Sequence, residues 1–459
     1  MRDRVDSRVA RCVLGGCGTI VGRITLLTSL LLLASPFCRD AKADAPAAQA
    51  GSDCVDTFTR TELLRRFDSN QDDNLNASER AALREAFGRI DVPMLPTTPY
   101  RYGSEKLPSH LDAALVRSSD NTPADNLITD TGAALGRVLF YDRQLSKNDT
   151  IACASCHPQD NAFSDPRQFS VGFESGYTNR NAMSLVNLRY TVLHGARPGF
   201  FWDERAPTLE ALVLIPIQDK VEMGMELAEL ESKLQRLPYY PPLFEAAFGS
   251  PQVTRDGIAK AVAQFTRSMV SFDSRFDKAA ATTGGDDYSA DFEGFTAEEN
   301  LGKALFINGV TGVAENGCAH CHMPPTFGMP KSFNTGLDLY YVDQGLGTRG
   351  LPPNDPFTPS NDGKFKASSL RNVALTAPYM HDGRFKTLER VVAHYSDGVH
   401  PHANLELAFD EEPSDITATS GFRLTSTQKA AIVAFLKTLT DETLLTDPRF
   451  SDPFVRLAD

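Results

Sequence analysis

The chain has 459 residues, 41% apolar and 23% charged, an ordinary balance for a folded soluble protein that excludes fibrous, disordered and multi-span membrane classes. That length allows two or three domains, each with its own core. Net charge is −13, and residues 1–43 hold seven Lys/Arg against three Asp/Glu, so the rest is more acidic still; nucleic acid is excluded as a partner and a basic protein partner suits the surface.

In chain order, the first predicted element is an export signal. Residues 1–23 carry five arginines, Ile24 to Ala34 form an apolar run containing Leu26, Leu27 and Leu30 to Leu33, and Ala41-Lys42-Ala43 supplies a small-x-small cleavage site. The run falls well short of the roughly 20 residues of a spanning helix, so the expectation is a cleaved signal peptide over 1–43 and a periplasmic mature protein. Cleavage removes Cys12, Cys17 and Cys38 and leaves Cys54, Cys153, Cys156, Cys318 and Cys321. An odd count with two close pairs is not a disulfide framework.

Residues 44–52 read as an Ala-rich linker and 53–90 as helix, loop, helix. In the loop, Asp68, Asn70, Asp72, Asn74, Asn76 and Glu79 place side-chain oxygens at positions 1, 3, 5, 7, 9 and 12, which resembles an EF-hand calcium loop. Position six is Asp73, where the sharp turn favours glycine, and no second such loop accompanies it. Calcium at Asp68, Asn70, Asp72, Asn74 and Glu79 therefore stands beside a metal-free polar helix–loop–helix. Residues 92–127, rich in Pro, Ser and Asn, predict a segment wrapping the surface.

Two pentapeptides decide the class. Cys153-Ala154-Ser155-Cys156-His157 and Cys318-Ala319-His320-Cys321-His322 are both C-x-x-C-H: two thiols on one turn form thioethers to the vinyl groups of one haem, and the adjacent imidazole becomes its proximal iron ligand. A structural zinc site needs four ligands in closed geometry, and a redox pair has no need of the histidine. Leu135-Gly136-Arg137-Val138-Leu139-Phe140 precedes the first motif much as Leu301-Gly302-Lys303-Ala304-Leu305-Phe306 precedes the second, an internal repeat. Thr296-x-x-Glu299 opens the second copy as a capping box. The predicted architecture is mainly α, with two cytochrome-c-like haem domains at 128–275 and 293–445, joined by a loop over 276–292 and preceded by the EF-hand-like segment. Apolar periodicity predicts helices closing the two domains at Ile258 to Phe272 and Gln428 to Leu439.

From about residue 128 to 440 the sequence resembles the di-haem cytochrome c peroxidase and MauG family. The likeness rests on Leu135–Phe140, Cys153–His157, Arg180-Asn181, Phe201-Trp202-Asp203-x-Arg205, Pro216 to Met223, Cys318–His322, Leu370-Arg371-Asn372 and Pro378-Tyr379-Met380-His381-Asp382-Gly383. The resemblance implies two covalent c-type haems, the N-terminal one reacting with hydrogen peroxide and the C-terminal one storing or relaying electrons. It also implies that Trp202, the only tryptophan, lies between the haems and that Glu222 is the distal carboxylate moving the peroxide proton. Asn181, Thr376 and Pro378 match the family's interhaem calcium ligands.

Departures from the family pattern carry information. Phe173 stands where peroxidases have a histidine that caps the N-terminal haem, which implies a peroxide site that is always open; Leu212 stands where a distal-pocket glutamine is common, which removes one hydrogen-bond partner for peroxide. Tyr395 stands at the register of the methionine that ligates the C-terminal haem in the peroxidases, as in MauG. A phenolate-like oxygen favours higher oxidation states than a thioether does. Tyr395 also fits a packed apolar face with Leu388, Val391 and Val392, and Met380, Met323 or Met329 are the alternative thioether sources. Two functions follow from the resemblance. One is a peroxidase fed by a small cytochrome c or copper protein; the other is a MauG-like enzyme oxidising residues of a partner protein through a high-valent di-haem state. A non-catalytic electron-transfer cytochrome is the third reading, and family members often form homodimers.

Overall fold

In the computed structural model, which describes residues 69, 76–87, 91–103, 107–108, 111, 113–191, 199–283, 288–309, 317–354, 359–406 and 420–455, helices dominate as expected. They are α1 (Ala77–Phe87), α2 (Ala113–Ser118), α3 (Asp130–Tyr141), α4 (Leu209–Gln218), α5 (Leu227–Gln235), α6 (Tyr240–Phe248), α7 (Arg255–Ser268), α8 (Arg275–Ala280), α9 (Ala297–Asn308), α10 (Leu388–Asp397), α11 (Ser426–Lys437) and α12 (Thr443–Thr446). The strands among the described residues are two-residue pieces: β1 (Val92–Pro93) pairs with β4 (Phe454–Val455), and β2 (Ser332–Phe333) with β3 (Phe365–Lys366). The signal segment 1–43 and loop residues Asp68, Asn70, Asp72 and Asn74 lie outside the described residues.

Threonine starts the helices that matter most. Thr129, Thr208, Thr254, Thr296, Thr387 and Thr425 each accept the third helical amide of α3, α4, α7, α9, α10 and α11, satisfying a donor that has no partner inside the helix. At α9 the Glu299 carboxylate accepts the Thr296 amide in return, so the capping box read from the sequence is formed.

Two hydrophobic cores follow, each built on a helix crossing. In the first, α3 meets α7 at Gly136, where an added Cβ would lie 2.0 Å from the Ala261 carbonyl oxygen; in the second, α9 meets α11 at Gly302, where it would lie 1.9 Å from that of Ala431. No larger residue permits that approach. Phe140 then meets Phe265 edge-on at 5.4 Å between ring centroids, and Phe306 meets Phe435 at 5.2 Å. The internal repeat is thus a repeated crossing, with the closing helices predicted from Ile258 and Gln428 as its second members.

The structure differs from the sequence expectation in two connecting regions. Residues 92–127 do not merely wrap the surface: Val92, Leu95 and Tyr102 are buried in the first core, because β1 gains a partner strand from the far end of the chain. The segment read as a boundary loop over 276–292 starts within α8, where Ser274 and Asp277 form a capping box and Phe276 and Phe292 enter the second core. Between the cores runs a buried polar seam. Ser271 donates to Asp441 Oδ2, the Asn372 amide donates to Ser271 Oγ, and the Asp441 amide donates to Asn372 Oδ1.

Candidate functional site

Each C-x-x-C-H segment forms a 3₁₀ turn over its first three residues. The His157 amide then donates to the Cys153 carbonyl and the His322 amide to that of Cys318, both at 3.0 Å. None of the four cysteines is in a disulfide. Burial pushes the thiols up, Cys153 to about 12, Cys156 to about 11 and Cys318 to about 12, so they hold their protons. A redox or zinc pair draws on the opposite environment, one that favours the thiolate.

The histidines are oriented alike. His157 Nδ1 lies 2.8 Å from the Phe163 carbonyl, and His322 Nδ1 lies 3.2 Å from that of Phe327 and 3.0 Å from that of Ser368. A carbonyl only accepts, so Nδ1 carries the proton and Nε2 keeps its lone pair for a metal. Burial holds both imidazoles neutral, pulling His322 down to about 4. Phe163 and Phe327 both have positive φ, 57° and 53°, the turn that aims their carbonyls back at the ring. Sequence reading missed both phenylalanines, since a backbone acceptor leaves no mark on residue type.

A cavity opens beside the second motif, lined by Cys318, Cys321, His322, Phe306, Leu436 and Tyr395 among others. Leu388, Val391, Val392 and Tyr395 all line it, so the apolar face of α10 and the predicted ligand position are one surface. Tyr395 lies within the field of both cysteines; burial raises its phenol well above the ordinary value, and a hydrogen bond with Thr335 opposes that weakly. Met380 lines the same cavity, whereas Met323 and Met329 line others.

Near the cysteines of the first motif sits Glu222. Its amide donates to Asp219 Oδ1 at 3.1 Å and its carbonyl accepts from the Phe173 amide at 3.0 Å. Burial, helped by Asp219 and opposed by Arg205, pushes its carboxyl up to about 7, and its charge is felt at both Cys153 and Cys156. The Phe173 ring fills the space that a Cβ on Gly224 would need, 2.4 Å from its nearest atom. Leu212 packs against the buried cluster of Phe200, Ala206, Leu209 and Ala263.

Trp202 joins the two halves. Its Nε1–H donates to the Asn181 carbonyl at 2.8 Å, its own carbonyl accepts from the Lys366 amide at 2.9 Å, and its side chain lines the second cavity. Arg180 bonds Asp203 on one side and Asp343 on the other, a clamp that sequence reading did not foresee. Asn181, Thr376 and Pro378 also line the second cavity, and the Asn181 side-chain amide donates to the carbonyls of Arg167 and Gln168.

These features meet known relatives. A family model for di-haem cytochrome c peroxidase matches residues 130–284. A methylamine utilization protein MauG from Methylorubrum extorquens is 33% identical over 321 residues, covering 70% of this chain and 81% of the relative. The chain belongs to the di-haem cytochrome c peroxidase and MauG family. Within it, a cytochrome c551 peroxidase from Nitrosomonas europaea is 30% identical over 312 residues, covering 68% of this chain and 80% of its own. The crystal structure of a MauG-like protein associated with microbial copper homeostasis aligns with TM-score 0.59 and 34% identity, covering 76% of this chain and 98% of that one. Membership brings two c-type haems and a haem-dependent peroxidase-type oxidoreductase activity. The residues present fit those groups: unpaired thiols, imidazoles with Nε2 available, and an apolar cavity beside one of the motifs.

The EF-hand-like segment is described at two points. Asn76 and Glu79 cap α1 reciprocally, the Asn76 amide donating to Glu79 Oε2 and the Glu79 amide to Asn76 Oδ1. Glu79 Oε1 accepts from the amide and hydroxyl of Ser69. The carboxylate at position 12 thus ties both ends of the loop together. Among the described residues, no helix is long and apolar enough to cross a membrane.

Proposed function

We propose that this is a periplasmic enzyme that reacts with hydrogen peroxide at the haem of Cys153, Cys156 and His157, and exchanges electrons with a protein through the haem of Cys318, Cys321 and His322. The two haem domains would be 128–275 and 293–445, and the location rests on the export signal read in 1–43. Bound at these motifs, the haems supply peroxide reduction at the first and electron storage at the second.

Glu222 is the proton carrier in this reading. Breaking an O–O bond heterolytically needs a group that takes the proton from one oxygen and returns it to the other. A carboxyl poised at about 7 is present in both forms at neutral pH, which suits that task. Phe173, with no lone pair to offer iron, leaves the site open to peroxide. Trp202, pinned at its ring N–H and at its carbonyl, is the aromatic bridge between the motifs. Asn181, Thr376 and Pro378 would hold a calcium ion beside it through hard oxygen donors, and the Glu79 loop is a second calcium candidate.

Tyr395 is the observation that carries the choice of partner. Its buried phenol shares a cavity with Cys318, Cys321 and His322, and only a positive charge in that cavity would draw off its proton. An oxygen ligand there makes the second haem a poor acceptor from an ordinary cytochrome and a good store of oxidising equivalents. That favours a MauG-like enzyme whose substrate is a partner protein over a peroxidase fed by a small cytochrome or copper protein.

Electron paramagnetic resonance of the oxidised protein tests this. We expect one high-spin and one low-spin ferric signal, the low-spin one altered in Tyr395→Phe, together with negligible peroxide turnover on reduced cytochrome c. A low-spin signal indifferent to Tyr395, with brisk cytochrome oxidation, returns the conventional peroxidase.

A further inference from the structure

Lys366 is a buried cation that the protein itself leaves unanswered. It ends β3 and is 6% exposed, and its Nζ is sealed from solvent and makes no hydrogen bond. Other buried cations are matched. Arg371 bonds Asp277 twice, Arg267 bonds Glu210 twice, Lys303 Nζ donates to the carbonyls of Tyr288 and Ala290, and Lys364 Nζ donates to Asn354. Glu204 is the acid whose field reaches Lys366, yet no ion pair forms, and Glu204 Oε1 is taken by the Ser332 hydroxyl. An ammonium buried without a partner is strongly disfavoured, and desolvation accordingly pulls Lys366 down to about 8.

Its position says what would answer it. Lys366 lines the cavity of Cys318, Cys321 and His322 and also a neighbouring cavity reaching Met183, Asn187 and Arg371. Ser368 lines the same two cavities, and its buried hydroxyl likewise has no hydrogen-bond partner. The Ser368 carbonyl meanwhile accepts from the proximal His322. Two residues of the haem-cavity wall, two positions apart, therefore carry an unpaired buried ammonium and an unpaired buried hydroxyl, a donor set lacking an anionic acceptor. A c-type haem carries two carboxylates on the edge away from its vinyl groups.

We propose that Lys366, with Ser368, receives a propionate of the C-terminal haem and thereby raises that haem's reduction potential. Positive charge beside the porphyrin stabilises the reduced iron, which carries one positive charge fewer, so its removal shifts the couple downward. Lys366 acts as a positioning residue, through the propionate rather than on the iron. The proposal rests on haem attachment at Cys318 and Cys321, not on the choice of peroxide partner.

Spectroelectrochemical titration of the purified di-haem protein tests it, with covalent haem counted in the same samples. In Lys366→Met we expect both haems attached, the C-terminal midpoint potential shifted down and the N-terminal one moved far less. Lys366→Arg restores most of the shift, and Ser368→Ala gives a smaller shift of the same sign. The proposal falls if Lys366→Met with both haems attached keeps the wild-type potentials, or if Lys366→Arg shifts the potential as far as Lys366→Met. Should Lys366→Met not accumulate, Ser368→Ala decides alone, an unchanged potential counting against the proposal. A wild-type protein lacking haem at the second motif would instead overturn the site itself.

Discussion

In the first core Gly136 lets α3 cross α7, Phe140 meets Phe265, and the Phe163 carbonyl orients His157; in the second, Gly302, Phe306, Phe435 and Phe327 do the same for α9, α11 and His322. Away from the motifs the halves part. The first has a carboxyl poised near neutrality and a phenylalanine beside it, whereas the second has a buried phenol on an apolar helix face and an unpaired lysine in the cavity wall. Holding a haem demands one geometry, so it repeats. What the haem does is set by the groups that face it from elsewhere, and those do not repeat.

The strongest way to break the comparison is at the crossings. Gly136→Val and Gly302→Val each force a side chain into a carbonyl about 2 Å away, an overpacking beyond the usual range of about 1–3 kcal/mol because backbone must move. If the crossings are equivalent, both lose more than about 4 kcal/mol by chemical denaturation, or fail to accumulate. A mild effect at either position means that its half does not depend on the crossing.

Glu222→Gln separates the halves chemically. Losing a positioned proton carrier slows peroxide reaction by about 100- to 10,000-fold, measured by stopped flow, with haem content and the second haem's spectrum intact. Burial raises this carboxyl to about 7, so it is protonated below that pH and a base above it. The wild-type rate therefore climbs through pH 7 and levels, and the glutamine variant shows no such inflection.

Asp277→Asn sharpens the contrast in stability. The Asp277 carboxylate bonds Arg371 twice and caps α8 through Ser274, with both charged side chains nearly fully buried. Breaking such a pair costs about 3–5 kcal/mol, and the loss should appear first as weakened hydrogen-exchange protection in the second core. The smallest effect is expected at the caps. Thr129→Ala and Thr296→Ala should each cost about 1 kcal/mol, since each removes the hydroxyl that accepts the third helical amide, while the Thr296 backbone amide keeps its bond to Glu299.

Much of this was legible in residue types. The haem motifs, the glycine-bearing repeat, both closing helices and the capping box at Thr296 all stand in the sequence, because thioether chemistry, helix periodicity and capping each demand particular side chains. The α10 face was legible too, although spacing could not say whether Tyr395 was packing or facing a cavity; the structure makes these the same surface. What stayed hidden was carried by backbone or by distance along the chain. The carbonyls of Phe163 and Phe327 have no residue signature, Arg180 meets Asp343 across 163 positions, and a strand of two residues such as β1 has no period to detect. Lys366 reads in sequence as an ordinary surface lysine, and only its sealed ammonium marks it out.

The pairing of β1 with β4 has a bearing on how the molecule is made. Leu444, Phe450 and Phe454 belong to the first core, Tyr141 donates to the Phe450 carbonyl, Arg137 to that of Ser451, and Gln159, two residues beyond His157, to those of Leu444 and Asp447. The N-terminal half is therefore completed by residues that follow the C-terminal half in the chain. The second core draws on no described residue beyond Leu439. Truncation near residue 440 would therefore strip the first core of Leu444, Phe450 and Phe454 while leaving the residues of the second in place.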